Sequence, residues 1–209
     1  MNLKNNSFIR GMYFFWKSTF LNKKSDFGYI SDNIRITPPH RILNPHNVYL
    51  YCDGGMERCF ISALNAKLII KEHCSIAEGL TVHTGNHARQ IGMFISDFDE
   101  SNKPSGFDHD VIVEEDVWIG CNVTLLSGVN IGRGTTIAAG AVVSKSMPPY
   151  CICGGVPAKV IKVYWTIDQI LEHESLLYPE NKRYTRKQLE EIYERYKLTT
   201  RVSSSMFQY

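Results

Sequence analysis

The chain lacks the marks of several common protein classes. None of its six cysteines, at positions 52, 59, 74, 121, 151 and 153, forms a Cys-x-x-Cys pair, the spacing on which structural zinc sites are often built. Cys151 and Cys153 are expected to point to opposite faces of a strand, and all six are read as buried small residues in a reducing cytoplasm. Charge of one sign is scarce too: 23 Lys and Arg face 21 Asp and Glu, a net charge of +2. Proteins that live on phosphate backbones usually carry a marked basic excess, so no nucleic-acid partner is expected. Proline is sparse, at 8 of 209 residues; with 44% hydrophobic and 21% charged residues the chain is neither a disordered segment nor a coiled coil.

Long apolar runs are also missing. The aromatic-rich stretch Phe8 to Leu21 (FIRGMYFFWKSTFL) is broken by Arg10 and Lys17, and no small-residue cleavage site follows it. It is shorter than the ~20 apolar residues of a membrane span and does not fit a secretory signal. The expectation is a short helix packing on the body of a cytoplasmic protein. The alternative is a helix lying on the inner membrane face, aromatics inward, with Arg10, Lys17, Lys23 and Lys24 toward the headgroups.

What the chain does have is a period. Val113, Ile119, Leu125, Ile131, Ile137 and Val143 are six aliphatics spaced six apart, in a chain where 47 of 209 residues are Ile, Leu or Val. Chance would produce that run at one chosen phase roughly once in ten thousand trials. Four residues after most of them comes another small or aliphatic residue: Val117, Val123, Val129, Thr135 and Ala141. A period of six fits neither a helix face nor an alternating strand; it fits a short strand and a corner, repeated, with one aliphatic per side pointing inward. Three sides close a coil of about 18 residues, and stacked coils pair in parallel. Gly120, Gly132 and Ala138, directly after three of the aliphatics, are expected to serve the tight corners. The phase recurs at Leu64, Ile70, Ile76 and Val82, and again at Ile30, Ile36, Ile42 and Val48, with an interruption expected in Tyr51 to Cys59 around Gly54-Gly55.

The expected organisation is therefore a mainly β chain in three parts: an aromatic and basic segment over 1–27, a parallel β-helix over 28–162, and a helical extension over 163–209. Between Val82 and Val113 the phase is lost, and the polar segment 88–110 reads as an excursion loop; such loops are usually functional. After Lys162 the pattern turns helical. Thr166 is placed to cap TIDQILEHESLLY, and Thr185 with Gln188 forms a capping box for a second helix. These helices are expected to cover the open end of the β-helix, and Thr199 to Tyr209 reads as a frayed tail.

The segment DVWIGCNVTLLSGVNIGRGTTIAAGAVVSKSMPPYCICGGVPAKVIK, Asp116 to Lys162, resembles the hexapeptide-repeat acyltransferases, in particular the galactoside/maltose and xenobiotic acetyltransferase branches, with bacterial polysaccharide O-acetyltransferases as the nearest look-alikes. V-W-I-G, P-P and G-G-V-P-A-K occur in the family's order. The resemblance implies a left-handed β-helix, a homotrimer with sites between subunits, and acetyl-CoA as co-substrate without a metal. His87, in Thr84-Gly85-Asn86-His87, maps onto the family's catalytic base; a neutral imidazole suits removal of a hydroxyl proton. Cys121, just after W-I-G, maps onto the residue whose backbone N–H holds the oxyanion.

By the same resemblance the pantetheine arm lies near Trp118, Gly120, Ala139 and Gly140, Ser144 and Lys145 continue that wall, and Lys159 and Lys162 meet the phosphates as point charges. The acceptor, a glycan or other small molecule, is expected against the excursion and the first coils. His83, Asn86, Asp97 and Phe98 are its candidate contacts, and Asp99, Asp108 and Asp110 are further carboxylates there. The expected activity is O-acetylation of a sugar or surface-polysaccharide precursor. The runner-up is a serine or nucleotide-sugar N-acetyltransferase on the same fold. A γ-class carbonic anhydrase would need a histidine triad such as His83, His87 and His109, and the long polar loop and the terminal signatures argue against it. A catalytically dead scaffold would be expected to lose His87 or the Lys159 region, and both are present.

Overall fold

A computed structural model describes residues 6–20, 23–99 and 101–198. Helix α1 (Ser7–Phe20) comes first, and the chain then winds into a β-solenoid. Its first coil holds β1 (Tyr29–Ile30), β2 (Ile34–Thr37) and β3 (Arg41–Leu43); its second, β4 (Val48–Leu50), β5 (Gly54–Glu57) and β6 (Phe60–Ser62). The third holds β7 (Leu68–Ile70), β8 (Ser75–Ile76) and β9 (Thr81–His83); the fourth, after the excursion, β10 (Val111–Val113), β11 (Trp118–Ile119) and β12 (Thr124–Leu125). The fifth holds β13 (Asn130–Ile131), β14 (Thr136–Ile137) and β15 (Val142–Val143). A sixth begins with β16 (Cys151–Gly154), on which β17 (Lys159–Val163) folds back antiparallel. The first strands of successive coils build one face, β1-β4-β7-β10-β13, and the third strands another, β3-β6-β9-β12-β15. The second face is β8-β11-β14-β16-β17, with β2 and β5 paired separately.

The core is a set of vertical ladders. Leu50, Ile70, Val113 and Ile131 are register partners on the first face, and Ile76, Ile119, Ile137 and Cys153 on the second. Ile42, Ile61, Val82, Leu125 and Val143 form the third. All six aliphatics of the Val113 to Val143 run are fully buried. Between the fourth and fifth coils partners are 18 residues apart, as in Trp118 with Thr136, and between the fifth and sixth 16, as in Thr136 with Ile152. Upstream they are 19 to 21 apart, as in Arg41 with Phe60 and Phe60 with Thr81. These wider coils break the expected upstream phase: Leu64 is 42% exposed. They also remove the expected interruption, since Gly54–Glu57 is strand β5 with Met56 buried in the core.

Left-handed backbone recurs every six residues, at Asp116, Asn122, Gly128, Gly134 and Gly140, with φ between 55° and 82°. The expected corner residues Gly120 and Gly132 have another task. A Cβ on Gly120 would lie 2.7 Å from the Ala139 nitrogen, and one on Gly132 2.5 Å from the Pro149 nitrogen. They are glycine because the next coil passes so close, and the positive φ is supplied elsewhere.

The cysteine expectation needs two corrections. Cys151 and Cys153 share the inward side of β16, fully buried with sulfurs 3.3 Å apart, because residues two apart on a strand point the same way. Cys121 is half-buried, while the other five are buried.

Both terminal helices start as expected. Thr166 caps α2 (Ile167–Leu177) and Thr185 caps α3 (Arg186–Tyr196), each in a reciprocal box with Gln169 or Gln188. They send Ile170, Glu174, Leu189 and Tyr193 inward, and Tyr196 reaches the Ser146 carbonyl past the last full coil. The expected frayed tail lies outside the described residues. Helix α1 departs from the packing expectation: Phe8, Met12, Tyr13, Phe15 and Trp16 are each more than half exposed. The side chain of Lys17 lies outside the described ones. No described helix is long and apolar enough to cross a membrane.

Candidate active site

The excursion leaves the solenoid after β9 and returns at β10. Register partners across it are 43 residues apart on all three faces: Leu68 with Val111, Ser75 with Trp118, Thr81 with Thr124. Its neck is stitched shut. The buried Thr84 donates its hydroxyl to the Ala66 carbonyl at 3.0 Å, and the Thr84 carbonyl accepts the His109 N–H at 3.0 Å and the Ser127 hydroxyl at 2.8 Å. One step along, the Asn86 N–H donates to Asp108 at 2.8 Å and the Asn86 amide to the Phe107 carbonyl at 3.0 Å. His87 follows, exposed, and Ala88 after it is buried. A tied residue on one side and a buried one on the other hold the His87 backbone, while its imidazole is exposed.

The other candidates form a wall on the second face. Trp118 is 45% exposed on β11, and Thr136, Ile152 and Lys162 are its successive cross-strand partners. Three strand spacings of about 4.8 Å put Lys162 about 14 Å from Trp118 along this row. At the adjoining corner the Gly120 N–H donates to the Ile137 carbonyl and the Gly140 N–H to the Cys121 carbonyl, both at 2.8 Å. The Cys121 N–H makes no hydrogen bond among the described residues, the condition for a donor that is to receive a developing oxyanion. Ala139, Gly140 and Lys159 are exposed along the same edge, whereas Ser144 and Lys145, expected to continue it, follow β15 and stand exposed at the corner after the third face, in the column of His83 and Thr84. The row thus offers what an acyl-CoA needs: an aromatic surface, a narrow backbone edge where Gly120 admits no side chain, and lysines at the far end.

Within one chain His87 and this wall do not meet. His87 leaves the corner after the third face, and Cys121 sits at the corner before it. One face of the prism, on the order of 15 Å wide, separates them. A cleft of about 480 Å³ lies elsewhere, lined by Tyr51, Lys71, Glu115, Arg133 and Lys182 among others, and none of the candidates borders it.

The expected acceptor contacts are scattered. His83, on the outer side of β9, packs its ring 5.4 Å from that of Phe60. Asp97 accepts the Phe94 N–H and closes a single helical turn, and Phe98 after it is half-buried. Asp99 and Asp110 likewise accept backbone N–H groups, from Ser101 and Lys67. Sequence reasoning missed Asn65, Lys103 and Ser127, which tie the neck. Only the loss of phase hinted at a closed loop, and it carries no pairing information.

The chain is similar to known proteins of one family. Residues 110–145 match the family model described as bacterial transferase hexapeptide (six repeats). A Saccharomyces cerevisiae protein named as an acetyltransferase is 30% identical over 148 residues, covering 68% of this chain and 71% of that protein. A Lysinibacillus sphaericus protein named as a macrolide acetyltransferase is 39% identical over 115 residues, 50% of this chain; the alignment spans 64% of that protein's length. Among solved structures, a Vibrio cholerae hexapeptide-repeat acetyltransferase complexed with acetyl coenzyme A superimposes with a TM-score of 0.59 at 20% identity, covering 77% of this chain and 91% of that one. A galactoside acetyltransferase in complex with coenzyme A gives 0.56 at 20% identity, covering 85% and 87%. At that identity the two structures speak for the fold.

Proposed function

Because the chain belongs to the hexapeptide-repeat acetyltransferase family, we propose that it transfers acetyl from acetyl-CoA to a hydroxyl of a sugar or surface-polysaccharide precursor. The observation that carries this reading is the separation of His87 from the Trp118–Cys121 wall on two corners of one prism. Each half is built as a site needs, and each lacks the other. A homotrimer supplies the missing half, His87 of one copy facing the wall of the next.

In this reading acetyl-CoA supplies an activated thioester. Its arm lies along Trp118, Gly120, Ala139 and Gly140, Ser144 and Lys145 of the copy that supplies His87 close the other side, and Lys159 and Lys162 meet the phosphates. The His87 imidazole takes the acceptor's hydroxyl proton as the oxygen attacks the thioester carbonyl. The Cys121 N–H donates to the oxyanion. As the intermediate collapses, the C–S bond breaks and the sulfur takes the proton from His87. The acceptor lies against the excursion, where His83, Asn86, Asp97 and Phe98 are the contacts proposed.

The test is CoA release from acetyl-CoA across sugars, amino acids and macrolides, with wild type and His87→Ala. Loss of a general base costs about 10²–10⁴-fold in turnover. A His87→Ala protein that is trimeric by light scattering and turns over at the wild-type rate would overturn the mechanism.

Helix α1 adds a location to this reading. Its described aromatics are exposed and Arg10 lies between them in sequence, the composition of a helix that rests on a lipid surface. The enzyme then works in the cytoplasm at the inner membrane face, where surface-polysaccharide precursors are assembled on lipid.

A further inference from the structure

We infer that the Lys103–Asp108 ion pair is a positioning device for His87, which presents the imidazole by gripping the peptide that precedes it. This rests on the reading of His87 as the base. Lys103 and Asp108 stand out in an excursion whose residues are mostly exposed: their side chains are only 7% and 10% accessible, with nitrogen and oxygen 2.7 Å apart. Buried charges are costly unless each is paired and hydrogen-bonded, so a pair sealed into a polar loop calls for a reason.

The contacts supply one. Asp108 accepts the Asn86 N–H at 2.8 Å, and Lys103 donates to the Asn86 carbonyl at 3.2 Å. The two halves of the pair thus take the two backbone polar groups of one residue. That carbonyl belongs to the peptide bond that joins Asn86 to His87. The Asn65 amide, on the connection between β6 and β7, donates to the other Asp108 oxygen at 3.0 Å and ties the pair to the solenoid. At Gly85 an added Cβ would come within 3.2 Å of Asp108, so the neck closes tightly on this side as well. The Asp108 carboxyl is pulled up by burial, but Lys103, the Asn86 N–H and Asn65 together outweigh that and hold it below the usual carboxylate range. It is therefore ionised whenever the protein works.

Neither Lys103 nor Asp108 need touch a reacting atom. Their effect is angular: a displacement of about 1 Å at a reacting group costs about 10²-fold in rate, and the Asn86–His87 peptide sets where the imidazole begins. Asn86 then serves His87 through its backbone and Phe107 through its amide, leaving its side-chain oxygen for the acceptor.

Two measurements test this on the full-length chain. Hydrogen exchange at residues 85–88 should speed up by about tenfold or more in Lys103→Met and Asp108→Asn, with the solenoid strands unchanged. CoA release should fall by about 10–100-fold in kcat while the KM for acetyl-CoA stays within about twofold. Lys103→Arg, whose guanidinium can grip both oxygens, should restore most of it. In the His87→Ala background Asp108→Asn should cost nothing further in kcat at saturating acceptor, since for the chemical step a residue that acts through His87 has nothing left to position. Unchanged exchange at 85–88 in both variants overturns the inference whatever the activity. So does a further loss of kcat in the double variant, which would mark a general structural role. A His87→Ala enzyme with full turnover sinks the assignment of the base, an outcome distinct from either.

Discussion

Arg133 donates through Nη1 to Glu174 Oε1 at 3.0 Å, and this contact joins the fifth coil to α2. Glu174 is fully buried on a helix face that sequence periodicity marks as apolar, and it also accepts the Tyr150 hydroxyl at 2.6 Å and the Tyr184 N–H at 2.7 Å. Arg133 in turn donates to Glu115 and to the Lys182 carbonyl, and its guanidinium lies 4.0 Å from the centre of the Tyr178 ring. Each charge has partners on every side. Removing one leaves the other buried and unpaired, which costs about 3–5 kcal/mol. Glu174→Ala should therefore lower stability by about that amount. Urea unfolding followed by the fluorescence of Trp165, which packs against Tyr150 and His173, reads it. A change below about 1 kcal/mol would show that the helices are held mainly by Ile170, Leu189 and Tyr193.

Acid should open the excursion before it unfolds the solenoid. The Asp108 carboxyl sits below its ordinary pKa through Lys103, Asn86 and Asn65, which outweigh its burial. A lowered carboxyl pKa contributes stability that is complete above the ordinary value of about 4 and lost as pH falls through the folded value. Exchange at residues 84–88 should accelerate on descent through that window in wild type. Asp108→Asn should already be fast at neutral pH and show no such step. A wild-type profile that tracks the β13–β15 strands would mean that the neck has no titration of its own.

The thiols divide sharply. Burial pushes Cys52 and Cys59 up to about 11 and Cys74 up to about 12. The Cys151 thiol beside it, together with burial, raises Cys153 as well. Cys121 alone among the six is half-buried. At pH 8 a disulfide reagent should modify one thiol per chain quickly and the other five only on unfolding. Acetyl-CoA should slow that one reaction, because Cys121 lies on the wall proposed to hold it. Rapid modification of two or more thiols, or no protection by acetyl-CoA, would count against the placement.

Helix α1 gives a direct assay. The full-length protein should co-sediment with vesicles containing about 30% anionic lipid and much less with neutral ones, and salt should weaken the binding. Phe15→Ser with Trp16→Ser should cut bound protein severalfold without changing turnover in free solution. If the double variant loses trimer instead, the helix is a subunit contact.

The fold was legible because one interaction repeats. Every sixth residue from Val113 to Val143 meets the same geometry, so a period in the letters is a ladder in space. Legibility failed where a different constraint took over. Leu64 kept the phase and lost the core, because coils of 19 to 21 residues shift the frame. Gly120 and Gly132 were visible as small residues, but close packing and positive φ both call for glycine, and spacing alone does not separate them. Glu174 hid on an apolar stripe since its partner Arg133 lies 41 positions earlier. The candidate site was half legible: the wall follows the repeat, and His87 follows a local motif. The neck depends on Asn65, Lys103 and Asp108, which meet only after a long loop has closed.

The constant 43-residue separation on all three faces has a mechanical meaning. The solenoid reads its own register across the excursion as though the intervening residues were not there, so what happens inside the loop is invisible to the core. Doubling the length of such a loop costs only about 0.6 kcal/mol in closure entropy. The loop is mechanically a cassette: its contents can change while the prism keeps its register, provided the clasp at Asn86 and Asp108 is retained.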